Sequence, residues 1–307
     1  MLNCIIFANM QRRFIFLYNP ISGTGNKERL LKQIDLRCKK EQVAYRIEPT
    51  NAAGNYHYLR QQIAEQGITH IIVCGGDGTV NQVAAALLQL NVYIGIIPMG
   101  SGNGLAFAAG IPKKISRALD IVFTGKPIAT DGFYINGHFS CMLCGLGFDA
   151  QVAHNFARQK KRGLATYARQ TIKHFLHARP YPFKISFQNI SIQTEAFFIS
   201  IANSNQFGNH VTIAPRASIS DGLLDVVIVK KMSKAKMLFA LLRQIKMGQI
   251  TPTEAKFKKE DILYYQTPLL SIHNLANAPL HIDGDPAATA TFLDIKIIPA
   301  AFMLLQP

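Results

Sequence analysis

Short apolar runs alternate with helical stretches between Arg13 and about Lys126. The predicted elements, in chain order, are the strand Phe14–Tyr18, the helix Lys27–Lys39, the strand Val43–Ile47, the helix Asn55–Gln66, the strand Ile71–Cys74, the helix Val80–Leu90 and the strand Tyr93–Ile97. Strands separated by helices of this length indicate βαβ units, and therefore a parallel sheet with helices on its faces. Ligands of such sheets bind beyond the carboxyl ends of the strands, so the residues that follow each strand are candidates for function.

The pattern changes after Pro127, where short strands joined by turns such as Ile135-Asn136-Gly137-His138 replace the alternation. The predicted strands are Ala129–Asn136, His138–Cys144, Phe183–Phe187, Gln193–Ala202, Leu224–Val229, Leu269–Ile272 and Leu280–Ile282. Two predicted helices, Lys161–His177 and Lys234–Met247, interrupt them. The sequence therefore predicts an α/β protein with a parallel-sheet N-terminal domain, residues 1–126, and a C-terminal, mainly antiparallel β domain, residues 127–297. The apolar segment 298–307 is predicted to return to the first domain.

The chain carries a large positive charge, with 33 Lys and Arg against 18 Asp and Glu and a formal net charge of +15. Such a charge predicts an anionic partner, which could be nucleic acid, nucleotide phosphates or an acidic membrane surface. No recognised nucleic-acid module is visible, so we do not expect nucleic acid. A basic stretch with interleaved aromatic residues, from Arg158 to Lys184, predicts peripheral docking on acidic lipids. The alternative is a solvated helix face.

Targeting and redox features predict a cytoplasmic protein. Apolar runs such as Leu223–Val229 are far shorter than the roughly 20 residues that a membrane-spanning helix requires. Arg12 and Arg13 follow the apolar N-terminal stretch instead of preceding it, unlike in a signal peptide. Five cysteines without such a signal indicate reduced thiols. Cys141 and Cys144 form a CxxC pair, but no second ligand pair is spaced for zinc, so we expect them to fill the core.

The strongest chemical signal is a loop in which the strand Ile71–Cys74 stops at Gly-Gly-Asp-Gly-Thr, residues 75–79, and leads into a helix. Glycine lets the backbone approach phosphate oxygens closely, and the N-terminus of a helix offers unpaired N–H groups and a partial positive charge. Asp77 can hold a metal ion or a hydroxyl. The alternative is a glycine turn in which Asp77 only caps the helix.

Two further loops have a similar composition. Asn19–Asn26 follows the first predicted strand and Pro98–Gly104 follows the fourth. Each by itself could be an ordinary βα turn. Three such loops beyond three strands of one parallel sheet predict a cradle for a polyphosphate, whereas a dinucleotide fold has a single GxGxxG loop. No Walker-type GxxxxGK[ST] motif is present.

A pair of carboxylates, Asp283 and Asp285, flanks Gly284 near the C-terminus. Phosphoryl transfer needs in-line positioning, neutralisation of charge by a metal, and a carboxylate that accepts the proton of the attacking hydroxyl. One carboxylate of this pair could orient the hydroxyl while the other binds Mg²⁺, which takes oxygen ligands. The alternative is a polar hairpin turn, for which Asp-Gly is a strong signal.

Several motifs follow one another along nearly the whole chain. They are Asn19-Pro20 with Ser22-Gly23, Gly75–Thr79, Pro98–Asn103, Gly145–Ala150, Ala214–Asp225 and His281–Asp285. This ordered set resembles the diacylglycerol kinase catalytic-domain family, which includes bacterial lipid kinases, sphingosine kinases and ceramide kinases. The loop Gly75–Thr79 alone would be shared with NAD kinases and phosphofructokinases.

The resemblance implies a two-domain kinase that uses ATP and Mg²⁺, with the nucleotide on the α/β domain and the lipid substrate on the β domain. The implied nucleotide contacts are Asn19, Pro20, Ser22, Gly23, Thr50, Gly75, Gly76, Asp77, Gly78, Thr79, Asn81, Gly100, Ser101 and Asn103. A metal site is implied at Asp221 with the backbone carbonyls of Ser218 and Leu223. The implied catalytic residues are Asp77, Asp283 and Asp285, with Asp285 as the base.

We therefore predict an ATP- and Mg-dependent kinase acting at an anionic membrane surface, with diacylglycerol, a sphingoid base or another lipid alcohol as acceptor. Two departures from the family pattern leave alternatives open. Asp285 stands where the family commonly has the longer Glu, and Gly104 stands where bacterial members have Asp. The alternatives are an NAD kinase, which would share the loop Gly75–Thr79, and a catalytically silent nucleotide or lipid sensor, which these two departures allow. The sequence also leaves open the acceptor lipid and whether the chain forms a homodimer.

Overall fold

The structure is a computed structural model that describes residues 12–20, 27–51, 53–157, 178–206, 214–236 and 261–307. These residues divide into two compact units, which are described separately below. The first unit contains the chain up to Gly100, then Gly110–Ala129 and Phe302–Pro307. The second contains Ser101–Ala109 and Thr130–Ala301.

The helices and strands have the following bounds. In chain order they are β1 (Arg13–Tyr18), α1 (Lys27–Lys40), β2 (Ala44–Pro49), α2 (Tyr58–Gln66), β3 (His70–Gly75), α3 (Asp77–Ala86), β4 (Tyr93–Pro98), α4 (Gly104–Ala108), α5 (Ile115–Thr124), β5 (Lys126–Ile135), β6 (His138–Ser140), β7 (Leu143–Gly147), α6 (Phe148–Ala157), β8 (Tyr181–Phe187), β9 (Ile190–Ala202), β10 (Leu224–Lys230), β11 (Ile262–Thr267), β12 (Leu269–Asn274), β13 (Leu280–Ile282), β14 (Asp285–Ala287) and β15 (Phe292–Gln306).

The first unit is built on a parallel sheet. Its strand order is β2-β1-β3-β4, and the last part of β15 adds a further parallel strand beside β4 through Met303 and Leu304. Every residue of β3 is buried, as expected for a central parallel strand covered on both faces. Helix α1 buries Leu30, Ile34 and Cys38, which recur with helical spacing. The alternation of strands and helices predicted for this part of the chain is confirmed.

Helix α5 is an element of the first unit that the sequence analysis did not predict. It buries Ala118, Leu119, Val122 and Phe123 and packs against β4. These residues recur with a helical period, so the signal was present in the sequence. Helix α3 begins at Asp77 and not at the predicted Val80, because its N-cap is Gly76 in extended conformation.

The second unit is a mainly antiparallel β structure. Its main strand order is β14-β13-β7-β9-β8-β12-β15, while β10 pairs with both β9 and β11. Large apolar side chains from several strands form one core, which includes Phe133, Phe183, Ile199, Val226 and Ile272. The predicted fold class, a parallel α/β part followed by an antiparallel β part, is confirmed.

Two local predictions in the second unit had different outcomes. The turn at Asn136 and Gly137 is confirmed, because both residues have the positive φ that a tight hairpin requires, 46° and 82°. The predicted single strand His138–Cys144 is wrong, since it is broken into β6 and β7. Met142 marks the break, where its carbonyl accepts hydrogen bonds from the amides of Asn203 and Ser204, at 2.8 and 2.9 Å.

Other predictions concern the cysteines, the helical segments and membrane spans. Cys141 and Cys144 are both buried free thiols, as expected for core residues. The predicted helix Lys161–His177 lies outside the described residues, and only the first part of Lys234–Met247 lies within them. Among the helices that the structure describes, none has the length and apolarity needed to cross a bilayer.

Candidate functional site

The residues that directly follow β1, β3 and β4 come together at the carboxyl ends of these strands in the first unit. The side-chain amide of Asn19 donates to the hydroxyl of Thr79 over 3.3 Å, which joins the loop after β1 to α3. The amide of Met99 donates to the carbonyl of Gly75 over 2.9 Å, which joins the loop after β4 to that after β3. The backbones are so close that a Cβ atom on Gly76 would lie 3.1 Å from the Cα atom of Gly100.

The N-terminus of α3 lies within this group of loops. Gly76 is the N-cap, and Asp77 and Gly78 form the first turn before the buried Thr79. The first amides of a helix have no intrahelical partner and carry the positive end of the helix dipole. Backbone that is glycine-rich and packed this closely lets such amides approach an anion. The arrangement is therefore suited to binding phosphate oxygens.

The remaining predicted nucleotide contacts have several locations. In the first unit, Thr50 lies beside Asn19, because its amide bonds to the carbonyl of Tyr18 over 2.9 Å. Pro20 directly follows Asn19, and Asn81 lies in α3. Ser101 and Asn103 belong to the second unit, where Asn103 is the buried N-cap of α4 with a φ of 57°. The two other predicted contacts, Ser22 and Gly23, lie outside the described residues.

The predicted carboxylate pair lies on a tight turn of the second unit. Asp283 and Gly284 form the corner between β13 and β14, with φ values of 51° and 83°. One carboxylate oxygen of Asp283 accepts hydrogen bonds from the Ser140 hydroxyl, at 2.6 Å, and from the Leu143 amide, at 3.1 Å. Asp285, in contrast, is exposed. Asp283 therefore anchors the turn to the start of β7, and Asp285 is the carboxylate of the pair that is exposed to solvent.

Next to this turn is a buried acid–histidine pair that the sequence analysis missed. Nε2 of His281 lies 3.3 Å from a carboxylate oxygen of Asp149, and the side chains are 0% and 7% exposed. Burial raises the pKa of Asp149, and the hydrogen bond from His281 opposes this rise. Both residues lie in motifs quoted above for the family resemblance. Their contact joins positions 132 residues apart, and no spacing pattern in the sequence predicts it.

The loop that carries Asp221, the predicted metal ligand, is held in place by a second buried carboxylate. Asp131 accepts the amide of Gly222 over 2.7 Å and that of Ala300 over 2.8 Å. The exposed Asp221 accepts the amide of Leu223 over 3.1 Å with one oxygen. The sequence analysis missed Asp131, which has no recognisable motif around it.

Asp221 is a suitable metal ligand, but one carboxylate is not a complete set of ligands. In the part of the chain that the structure describes, no three His, Cys, Asp or Glu side chains are grouped to hold a metal ion. Mg²⁺ commonly uses only one or two carboxylates and keeps several waters, so an exposed carboxylate with nearby backbone carbonyls fits its chemistry. The nearby Asp225 is buried, which raises its pKa to about 6, and the hydroxyl of Tyr264 donates to it.

Two protein-family descriptions match consecutive parts of the chain. The diacylglycerol kinase catalytic domain matches residues 13–135. The YegS C-terminal NAD kinase beta sandwich-like domain matches residues 143–306, which is more than half of the chain. The chain belongs to the YegS and diacylglycerol kinase family. It is accordingly a phosphotransferase of a lipid kinase family, with an alcohol group as acceptor.

Individual relatives extend over most of the chain. A protein of Chromohalobacter salexigens named "Probable lipid kinase YegS-like" is 28% identical over 267 residues, 85% of this chain and 83% of that protein. A diacylglycerol kinase of Bacillus subtilis is 26% identical over 281 residues, which cover 89% and 90% of the two chains. A crystal structure of a diacylglycerol kinase from Bacillus anthracis, 18% identical, has a TM-score of 0.72 and covers 97% of this chain and 98% of its own. At that identity the structural likeness concerns the fold.

Proposed function

We propose that the chain is an ATP- and Mg-dependent kinase that phosphorylates the hydroxyl of a membrane lipid, with diacylglycerol as the first candidate. A sphingoid base or another lipid alcohol is a second candidate acceptor. The observation that carries the proposal is the meeting of Asn19, at the end of β1, with the glycine-rich loops after β3 and β4 around the N-terminus of α3. The names of the relatives, a probable lipid kinase and a diacylglycerol kinase, support the choice of lipid.

In this proposal the nucleotide phosphates lie against the loops of the first unit. Gly75, Gly76 and Gly100 have no side chain to keep phosphate oxygens away from the backbone, and the amides of α3 donate to these oxygens. Asn19 is held beside this helix by its hydrogen bond to Thr79. Asp77 lies in the first turn of α3, where its carboxylate is the candidate for holding a metal ion or a hydroxyl.

Magnesium, when bound, would neutralise charge on the phosphates and stabilise the loop of Asp221. Asp221 would hold the structural ion with the carbonyls of Ser218 and Leu223, and Asp131 keeps that loop in place. Asp285 would accept the proton of the attacking hydroxyl. Its exposed carboxylate has the chemistry for this role, while Asp283 holds the turn.

We also propose that the protein works at the cytoplasmic face of an anionic membrane as a peripheral protein. The net charge of +15 favours adsorption to acidic lipids. Of the basic stretch between Arg158 and Lys184, Arg179 and Lys184 lie within the described residues, and the rest lies mainly outside them. Leu275 and Phe292, which are 55% and 44% exposed, offer apolar contacts in the second unit.

The proposal is tested by incubating the protein with a total lipid extract, Mg²⁺ and ATP, followed by mass spectrometry. We expect a new phosphorylated lipid that is absent without ATP or without protein. A parallel reaction with NAD in place of lipid tests the alternative that the chain is an NAD kinase, since its C-terminal domain matches an NAD kinase beta sandwich-like domain. A product formed from NAD alone would show an NAD kinase, and no product in either reaction would favour a nucleotide or lipid sensor.

Replacing Thr79 with Val is expected to raise KM for ATP by about fivefold, which corresponds to one lost hydrogen bond of about 1 kcal/mol. Val has nearly the same shape but does not accept the amide of Asn19, so the loop after β1 loses its connection to α3. Steady-state kinetics with varied ATP provide the measurement. Thr79→Ser keeps the hydroxyl and is the matched control. Equal KM values for the two variants would contradict a role for this bond.

Asp221→Asn is expected to raise the Mg²⁺ concentration needed for half-maximal thermal stabilisation by at least about 10- to 100-fold, since losing a group that only supports a metal ligand already costs this much affinity. The amide cannot supply the negative charge, although it can still accept the amide of Leu223. Thermal unfolding measured against Mg²⁺ checks this without any kinase assay. Asp294→Asn removes another exposed carboxylate of the second unit and is the control. An identical Mg²⁺ response in both variants would exclude Asp221 as the ligand.

A further inference from the structure

We propose that His281 is a positioning residue that holds the Asp283–Asp285 turn, and that Asp149 keeps its imidazole in the required tautomer. This inference rests on the proposed function, because it concerns the turn that carries the proposed base, Asp285. It assigns a task to a buried polar pair that the phosphate loops and the metal loop do not use. His281 is not proposed to contact substrate.

His281 contacts the turn and Asp149 through its two ring nitrogens. The amide of Gly284 donates to Nδ1 over 3.3 Å. Nε2 lies 3.3 Å from the carboxylate of Asp149. Since Nδ1 accepts a hydrogen bond, the proton of the neutral ring is on Nε2, where it is donated to Asp149. Asp149 therefore selects the one neutral tautomer that can accept the amide of Gly284.

The turn is consequently fixed on both sides of its corner. Asp283 is bonded to Ser140 and Leu143, and Gly284 is bonded to His281. Asp285 is the next residue in the chain. Small errors in the position of a catalytic group are costly in phosphoryl transfer, which depends mainly on positioning. A turn with this many backbone contacts limits the movement of the carboxylate that follows it.

The surroundings of the pair are closely fitted to it. A Cβ atom on Gly145 would lie 2.2 Å from Oδ2 of Asp149 and 2.5 Å from Nε2 of His281, so only glycine leaves room for both groups. The second carboxylate oxygen of Asp149 accepts the amide of Ala150 over 2.8 Å. Burying a carboxylate is unfavourable, and apolar side chains would fill the same space at a lower cost in free energy of folding. The retained polar pair therefore has a use beyond packing, which is the bond to the turn.

Two substitutions of His281 separate positioning from packing. The side-chain oxygen of Asn lies near the place of Nδ1 and can accept the amide of Gly284, but Asn does not reach Asp149. The side-chain nitrogen of Gln lies near the place of Nε2 and can donate to Asp149, but Gln has no acceptor for the amide of Gly284 at the place of Nδ1. His281→Asn therefore leaves a buried carboxylate without its donor, whereas His281→Gln leaves the turn without its acceptor.

We expect opposite rankings in activity and in stability. His281→Gln should lower kcat by about 10- to 100-fold with little change in KM for ATP, because Asp285 is no longer held in place. His281→Asn should keep a higher kcat than His281→Gln and show the larger fall in Tm. His154→Gln is the control, since His154 lies on α6 and its ring nitrogen contacts the carbonyl of Leu280, which precedes the turn, over 2.7 Å. That variant should keep the kcat of the unchanged protein.

Different results overturn different parts of the argument. Equal kcat values for His281→Asn and His281→Gln, or a lower value for His281→Asn, would overturn the positioning role while lipid phosphorylation by the unchanged protein stands. If the unchanged protein phosphorylates no lipid, the proposed function fails, and the role of His281 in it fails as well. The ¹⁵N NMR spectrum of histidine-labelled protein tests the tautomer without any activity assay. We expect a protonated Nε2 at His281, and a protonated Nδ1 would overturn the inference.

Discussion

Replacing Asp285 with Asn is expected to lower kcat for lipid phosphorylation by about 10²- to 10⁴-fold, the usual contribution of general base catalysis. The amide has the size of the carboxylate but cannot accept the proton of the attacking hydroxyl. Asp285 is exposed at the end of the turn and is not a ligand of the nucleotide in our proposal, so KM for ATP should change little. Initial rates of transfer from labelled ATP to lipid give both constants.

Asp283→Asn is the control for this experiment. Its amide oxygen can still accept the Ser140 hydroxyl and the Leu143 amide, so the turn should keep its shape and kcat should fall much less. A larger fall for Asp283→Asn than for Asp285→Asn would show that Asp283 is the base. Near-normal rates in both variants would contradict any catalytic role for the pair.

Gly147→Ala is expected to lower the free energy of unfolding by about 3 kcal/mol or more, which for a protein of this kind is a fall in Tm of about 6–12 °C. Gly147 has a φ of 90°, which L side chains rarely adopt. A Cβ atom there would also lie 2.4 Å from the carbonyl oxygen of Phe197, which belongs to the neighbouring strand. The backbone of β7 or β9 would have to move.

Gly137→Ala separates the two causes. Gly137 has a similar φ of 82°, but no atom lies within 4 Å of its Cβ position. This variant should show only the backbone strain, about 1–2 kcal/mol. Thermal and denaturant unfolding of both variants measure the difference. Equal losses of stability would mean that the contact with Phe197 is relieved at little cost.

The sequence predicted the parallel sheet well because its signals are local. Strand β3 is apolar throughout and is followed by two glycines, so its type and its end could both be recognised. The turn at Asn136 and Gly137 was equally clear, because Asn-Gly between two apolar strands is the strongest short-range hairpin signal. Strand β11, Ile262–Thr267, was not predicted. Its two tyrosines are only partly buried, and it follows a charged segment, so its apolar pattern is weak.

The candidate site could be predicted only in part, for a physical reason. The rule that parallel strands end at one edge of a sheet was enough to bring Asn19 near Thr79, which is 60 positions away. No such rule applies to antiparallel strands and the helices beside them, where pairing depends on register over long separations. The contacts of His281 with Asp149, and of Asp131 with Gly222 and Ala300, follow from tertiary packing alone.

The first unit includes the C-terminal residues Phe302–Pro307, which has a consequence for biosynthesis. Its sheet includes Met303 and Leu304 beside β4, yet the ribosome makes these residues only after the entire second unit. During translation β4 is therefore left with an unpaired edge, and such edges are prone to pair with other chains. The nascent N-terminal half should depend on chaperones or on its positive charge to stay monomeric until the final strand arrives.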